Sequence, residues 1–169
     1  MMQRQYSPIY MGLLILIAVL QSTVLLPIQI QNTRPDFILL LIIFFAHQIG
    51  SFQGMIMGFT AGLVLDLIGL SPIGFHSFIY TATGYFFGAT RGKVYVDALT
   101  LPVLLALLAS AIKFILSFFL TAVFEPVRLG ALFTVSTLIE FGMNALISPF
   151  LYAILRFLRL TSEHESRML

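Results

Sequence analysis

The chain has 169 residues, of which 59% are hydrophobic and 9% charged, with a net charge of +2 and no cysteine. An ordinary soluble domain carries roughly 25% charged residues, so this composition excludes one and points to an all-α integral membrane protein. The charge is too small to suggest nucleic acid, and without thiols there is no disulfide or zinc–thiolate chemistry.

Charge-free runs extend from Gln5 to Thr33, Phe37 to Leu65 and Leu67 to Thr90, each long enough for the roughly 20 apolar residues of a spanning helix. Six transmembrane helices are expected, over residues 8–26, 37–48, 52–68, 72–90, 98–123 and 130–157, in a single transmembrane domain with no soluble domain on either side. The first run is too long for a signal-peptide core and lacks an A-x-A site, so it is read as a retained helix ending before Pro27. Residues 27–36, where Ile28 and Ile30 alternate with Gln29 and Gln31, read as an extended surface segment.

The second helix opens at Arg34-Pro35-Asp36. Proline suits a first helical turn, and a carboxylate there faces the positive end of the helix dipole, so Pro35 and Asp36 are read as its cap. His47, Gln48, Gly50, Ser51 and Gln53 cluster as a reversal requires. The run from Phe37 to Leu65 is therefore expected to break there, leaving a second helix so short that it must thin the bilayer or lean on neighbours. His47 reads as a turn residue, with no second metal ligand at helical spacing.

The third helix carries Gly54, Gly58, Gly62 and Asp66 at four-residue steps, one stripe on one face. Such a small-residue face lets another backbone approach closely inside a bilayer. Asp66 is the only charge between Asp36 and Arg91, and an intramembrane carboxylate demands a reason. It is expected either to lock the following loop or to contact a partner, taking its donor from Arg34, Arg128 or the amides before the fourth helix. That helix is expected to begin with Ser71 as N-cap and Pro72 at the first position, and it repeats the device with Gly84, Gly88 and Gly92. The two glycine faces either pack on each other or leave one for a partner; the spacing does not choose. His76 reads as structural, because His76 and Ser77 are adjacent and point apart on a helix.

The fifth helix has a polar stripe of Ser110, Lys113, Ser117 and Thr121, and the sixth one of Ser136, Glu140, Asn144 and Ser148. Lys113 lies eleven residues before Phe124 and Glu140 ten after Gly130, which at 1.5 Å per residue places both about 15 Å deep in an antiparallel hairpin. A buried Lys113–Glu140 pair with Asn144 nearby is the economical reading, because an unpaired intramembrane charge is far more costly.

Arg4, Arg91, Lys93, Arg156, Arg159 and Arg167 fall on one side of a six-helix topology, against Arg34 and Arg128 on the other. Both termini are therefore expected in the cytoplasm. No helix carries HExxH or paired glutamates, and His164-Glu165 in the tail completes no zinc motif. A non-enzyme without metal or cofactor is expected.

Arg34-Pro35-Asp36-Phe37, the series Gly54-x3-Gly58-x3-Gly62-Leu63-x2-Asp66-Leu67, Ser71-Pro72-x-Gly74 and Gly84-Tyr85 together resemble the bacterial rod shape-determining MreD family. The resemblance implies a non-catalytic inner-membrane scaffold of the cell-elongation machinery, organising peptidoglycan synthesis beside MreC, the MreB filament, and the glycosyltransferase RodA with its transpeptidase. It also implies a fold like that of the substrate-binding components of energy-coupling-factor vitamin transporters, which supplies the alternative function. A vitamin site needs convergent polar and aromatic groups; this chain has no tryptophan and its polar residues read as turns, caps and one hairpin, so the scaffold is preferred.

Overall fold

A computed structural model describes residues 7–23, 33–69, 71–92, 100–124 and 126–157. It contains six α-helices: α1 (Ser7–Thr23), α2 (Phe37–Ile49), α3 (Ser51–Ile68), α4 (Phe75–Gly88), α5 (Thr100–Phe124) and α6 (Val135–Phe157), with a 3-10 segment, Pro126–Leu132, before α6. Three of them, α3, α5 and α6, are long and apolar enough to cross a membrane. Residues 27–32 of the expected surface segment, Lys93 and the tail lie outside the described residues.

The bundle is built around α2. Its sequence, FILLLIIFFAHQI, has no polar face, which suits either lipid or a protein core; its burial decides for the core. Ile38 through Ala46 are all buried, and α2 packs against each of the other five helices. The shortness of α2 is thus met by protein on every side. The rings of Tyr10 and Phe45 stack with centroids 4.3 Å apart, joining α1 to this core, and Phe44 meets Tyr152 of α6.

The reversal after α2 takes a single residue, Gly50, at φ 101°, a left-handed conformation that glycine adopts without steric cost. The α2 end is closed by its neighbours. Gly50 N–H donates to Ala46 O at 2.8 Å, Arg91 Nη1 donates to Ile49 O at 2.9 Å, and His47 Nδ1 lies 2.7 Å from Thr90 Oγ1.

Four expectations are corrected. Pro35 stands outside α2, one residue before the N-cap Asp36. Helix α4 starts at Phe75 with Gly74 as N-cap at φ 99°, so Ser71 is not its cap and Pro72 is not its first residue; Pro72 instead accepts from Phe75 N–H in the preceding turn. The reason is that α4 takes its capping carboxylate from α3, as described below. Helix α4 also ends at Gly88, leaving Gly92 in a turn at φ 70° beyond it. Finally, α6 begins at Val135 instead of residue 130.

That last shift has a physical cause. The ring of Phe133 packs edge-on against Phe114 and Phe118, at 5.6 and 5.9 Å. Phe118 and Phe114 lie six and ten residues before the α5 end, so the connection has already returned about 9 to 15 Å along α5 before α6 starts. The end of α5 overhangs the start of α6.

Candidate functional site

The glycines of α3 and α4 face one another. A Cβ placed on Gly54 would sit 2.5 Å from the carbonyl oxygen of Gly84, and one on Gly62 would sit 2.5 Å from Ser77 Cα. Gly58 lies against the Tyr80 carbonyl, Gly84 against that of Gly54, and Gly88 against Ser51 Cα. Backbone therefore touches backbone along the whole hairpin, and no side chain fits between.

Asp66 continues the glycine stripe to the far end of α3, where it reaches the first turn of α4. Its Oδ1 accepts from His76 N–H at 2.9 Å and lies 2.8 Å from His76 Nδ1. Its Oδ2 accepts from Gly74 N–H at 2.9 Å, Ser77 N–H at 3.1 Å and Ser77 Oγ at 2.8 Å. These amides are the donors that a helix start leaves unsatisfied, so a carboxylate from the preceding helix does the work of an N-cap and also favours the dipole. The donors come from the amides at the head of α4, with Arg34 Nη1 directed at Gln21 O instead; the Arg128 side chain lies outside the described residues. Asp66 is 3% exposed, with both oxygens occupied, which leaves it little to offer a partner.

A second polar centre joins four helices beside the amino end of α2. Asp36 Oδ1 caps its own helix by accepting from Leu39 N–H at 3.0 Å. Its Oδ2 accepts from Tyr80 Oη of α4 at 2.7 Å and from Lys113 Nζ of α5 at 2.6 Å. Lys113 also donates to Glu140 Oε1 of α6 at 2.6 Å. Asn144 closes the ring, accepting from the Asp36 N–H at 2.8 Å and donating to Ser110 Oγ at 3.0 Å. One ammonium thus serves two carboxylates.

Among the described residues no group of three or more His, Cys, Asp and Glu side chains is placed to hold a metal ion. No curated protein and no solved structure matches the chain. A family model described as rod shape-determining protein MreD matches residues 2–159. The chain belongs to the MreD family.

Membership in MreD brings a role in rod-shape determination, as a structural protein outside the known enzyme families and, with three long apolar helices, a membrane one. Within this MreD-family protein the structure brings Lys113, Glu140 and Asn144 into one network and sets Gly54, Gly58 and Gly62 against Gly84, Tyr80 and Ser77. Sequence reasoning missed two things: Asp36 as the second acid on Lys113, and Tyr80 beside it. A signal for the first was present. A helix apolar on every face suits lipid as well as a protein core, but one this short leans on its neighbours, which sets its capping carboxylate among them and in need of a counter-charge.

Proposed function

We propose that this MreD-family protein is a non-catalytic scaffold of the cell-elongation machinery that binds MreC in the bacterial inner membrane and, through it, helps organise peptidoglycan synthesis by RodA and its transpeptidase along MreB. The observation that carries this reading is the family match over residues 2–159. The geometry supports it: the strong polar groups of the interior go into holding helices together, while Phe59, Phe78, Phe119, Leu138, Leu146 and Phe150 stand outward. Such outward apolar side chains suit lipid or a neighbouring helix.

In this reading all six helices cross or line the membrane, with both termini cytoplasmic and Arg91 and Arg156 on the same side. The fold shared with vitamin-binding transporter components belongs to the same proposal. Because the chain contains no cysteine, single cysteines at Ser166 and Ser71 test the topology directly: a membrane-impermeant maleimide added outside should label Ser71→Cys and spare Ser166→Cys.

The deciding experiment is co-expression with MreC, gentle extraction and native mass spectrometry. A complex of fixed stoichiometry supports the scaffold. Release of a bound vitamin together with a transporter ATPase module, and no MreC, overturns it.

A further inference from the structure

The helices are flush at one end of the molecule and unequal at the other. Near Arg91, Gly88 lies against Ser51 and His47 Nδ1 is 2.7 Å from Thr90 Oγ1, which aligns the ends of α2, α3 and α4. Phe44 packs on Tyr152, each five residues before the end of its helix, at Ile49 and Phe157, so α6 ends at the same level. From there α3 runs 18 residues and α6 runs 23, about 27 and 35 Å at 1.5 Å per residue. The far end of α6 therefore stands about 8 Å beyond that of α3. Helix α5 reaches further still: Ser110 bonds Asn144, and fourteen residues of α5 follow Ser110 against nine of α6 before Asn144.

Polarity marks the same difference independently. The far end of the α3–α4 hairpin is closed by charge, where Asp66 holds the first turn of α4 and the His76 side chain is 24% exposed. The far end of the α5–α6 hairpin carries apolar side chains instead. Phe119, Val123 and Phe124 of α5 and Val135 and Leu138 of α6 are all exposed, and they stand where these helices rise beyond the α3 end.

The hydrocarbon core of a bilayer is about 30 Å thick, so α3 falls short of it and α6 exceeds it. A uniform layer cannot match both hairpins, and each ångström of mismatch costs free energy that lipid relieves by thinning or thickening. We propose that the α3–α4 face fits a thin layer of short-chain lipid and the α5–α6 face a thick one, so that the hydrocarbon boundary steps by about 8 Å across the protein. The step lies in the outer leaflet, because the helix ends on the Arg91 side are flush. This rests on the reading above that the helices cross the membrane with the termini cytoplasmic.

The chain has no cysteine and no tryptophan, so single probes in the full protein test the step. Nitroxide labels on Leu67→Cys of α3 and Gly142→Cys of α6 lie about 24 and 23 Å from the flush end. Both positions are exposed. In nanodiscs of mixed short- and long-chain phosphatidylcholine, accessibility to oxygen against a nickel chelate should place the Gly142 label about 8 Å deeper than the Leu67 label. Labels near the flush end, on Phe52→Cys and Ile154→Cys, should agree to within about 3 Å. In the same lipid, Phe59→Trp should be quenched about twofold better by brominated short chains, and Phe150→Trp by brominated long ones. Equal depths for Leu67 and Gly142 overturn the step. So does an offset repeated with opposite sign at Phe52 and Ile154, which is a rigid tilt of the bundle. Equal quenching at Phe59 and Phe150 overturns the lipid selection. Maleimide labelling of Ser166→Cys and not Ser71→Cys would fail the topology instead, and a step still seen between Leu67 and Gly142 would then belong to the inner leaflet.

Discussion

In the α3–α4 hairpin two backbones touch, and the charged group lies at its end, where Asp66 grips the first turn of α4. In the α5–α6 hairpin the helices meet through side chains: Lys113 with Glu140, Ser110 with Asn144, Phe114 and Phe118 with Phe133. The first is held by what its residues lack, and the second by what they carry. Their sensitivities should therefore be opposite. Added atoms damage the glycine hairpin, whereas removed atoms damage the charged one.

The largest effect is expected in the charged hairpin. Lys113→Met leaves Asp36 and Glu140 facing each other without their shared cation, a loss of about 3–5 kcal/mol for a buried pair broken from one side. Lys113→Met with Glu140→Gln should recover part of that, because one uncompensated charge goes with its partner. Melting curves in mild detergent read both; equal melting of the single and double variants would show that charge is not what the network supplies.

Asp66→Ala comes next. It removes the acceptor of three backbone N–H groups, from Gly74, His76 and Ser77, at about 1 kcal/mol or more each. Asp66→Asn keeps one acceptor oxygen and should cost roughly half as much. If the proposed scaffold holds MreC, its retention should fall only in step with stability; a loss of MreC at unchanged melting temperature would instead make Asp66 a partner contact. Gly58→Ala follows, at about 1–3 kcal/mol for overpacking, since its new methyl would overlap the Tyr80 carbonyl.

The same contrast explains what was legible in the sequence. The glycine hairpin announces itself locally, because Gly54, Gly58 and Gly62 recur at helical spacing within one segment and the positive-φ break at Gly50 sits in a polar cluster. The charged centre does not. Tyr80 and Lys113 lie 44 and 77 residues from Asp36, and no periodicity connects them. Depth arithmetic brought Lys113 and Glu140 level from a false start, counting α6 from Gly130; Glu140 lies only five residues into α6, and the pair meets because the connection folds back along α5. The start of α4 is not legible for a related reason: its cap comes from Asp66, across a turn, where local rules look for Ser71.

The smallest expected effect sharpens the comparison most. Gly142 lies on α6 with nothing within 4 Å of an added Cβ, whereas the equivalent atom on Gly58 meets backbone. Gly142→Ala is the same chemical change without the neighbour. It should reduce the freedom of the unfolded chain and favour the helix, raising stability by a few tenths to about 1 kcal/mol. A melting temperature that rises for Gly142→Ala and falls for Gly58→Ala would assign the cost at Gly58 to the approach of α4. If both fell alike, the glycines would matter to this chain as flexible points within helices, and close packing would no longer account for their spacing.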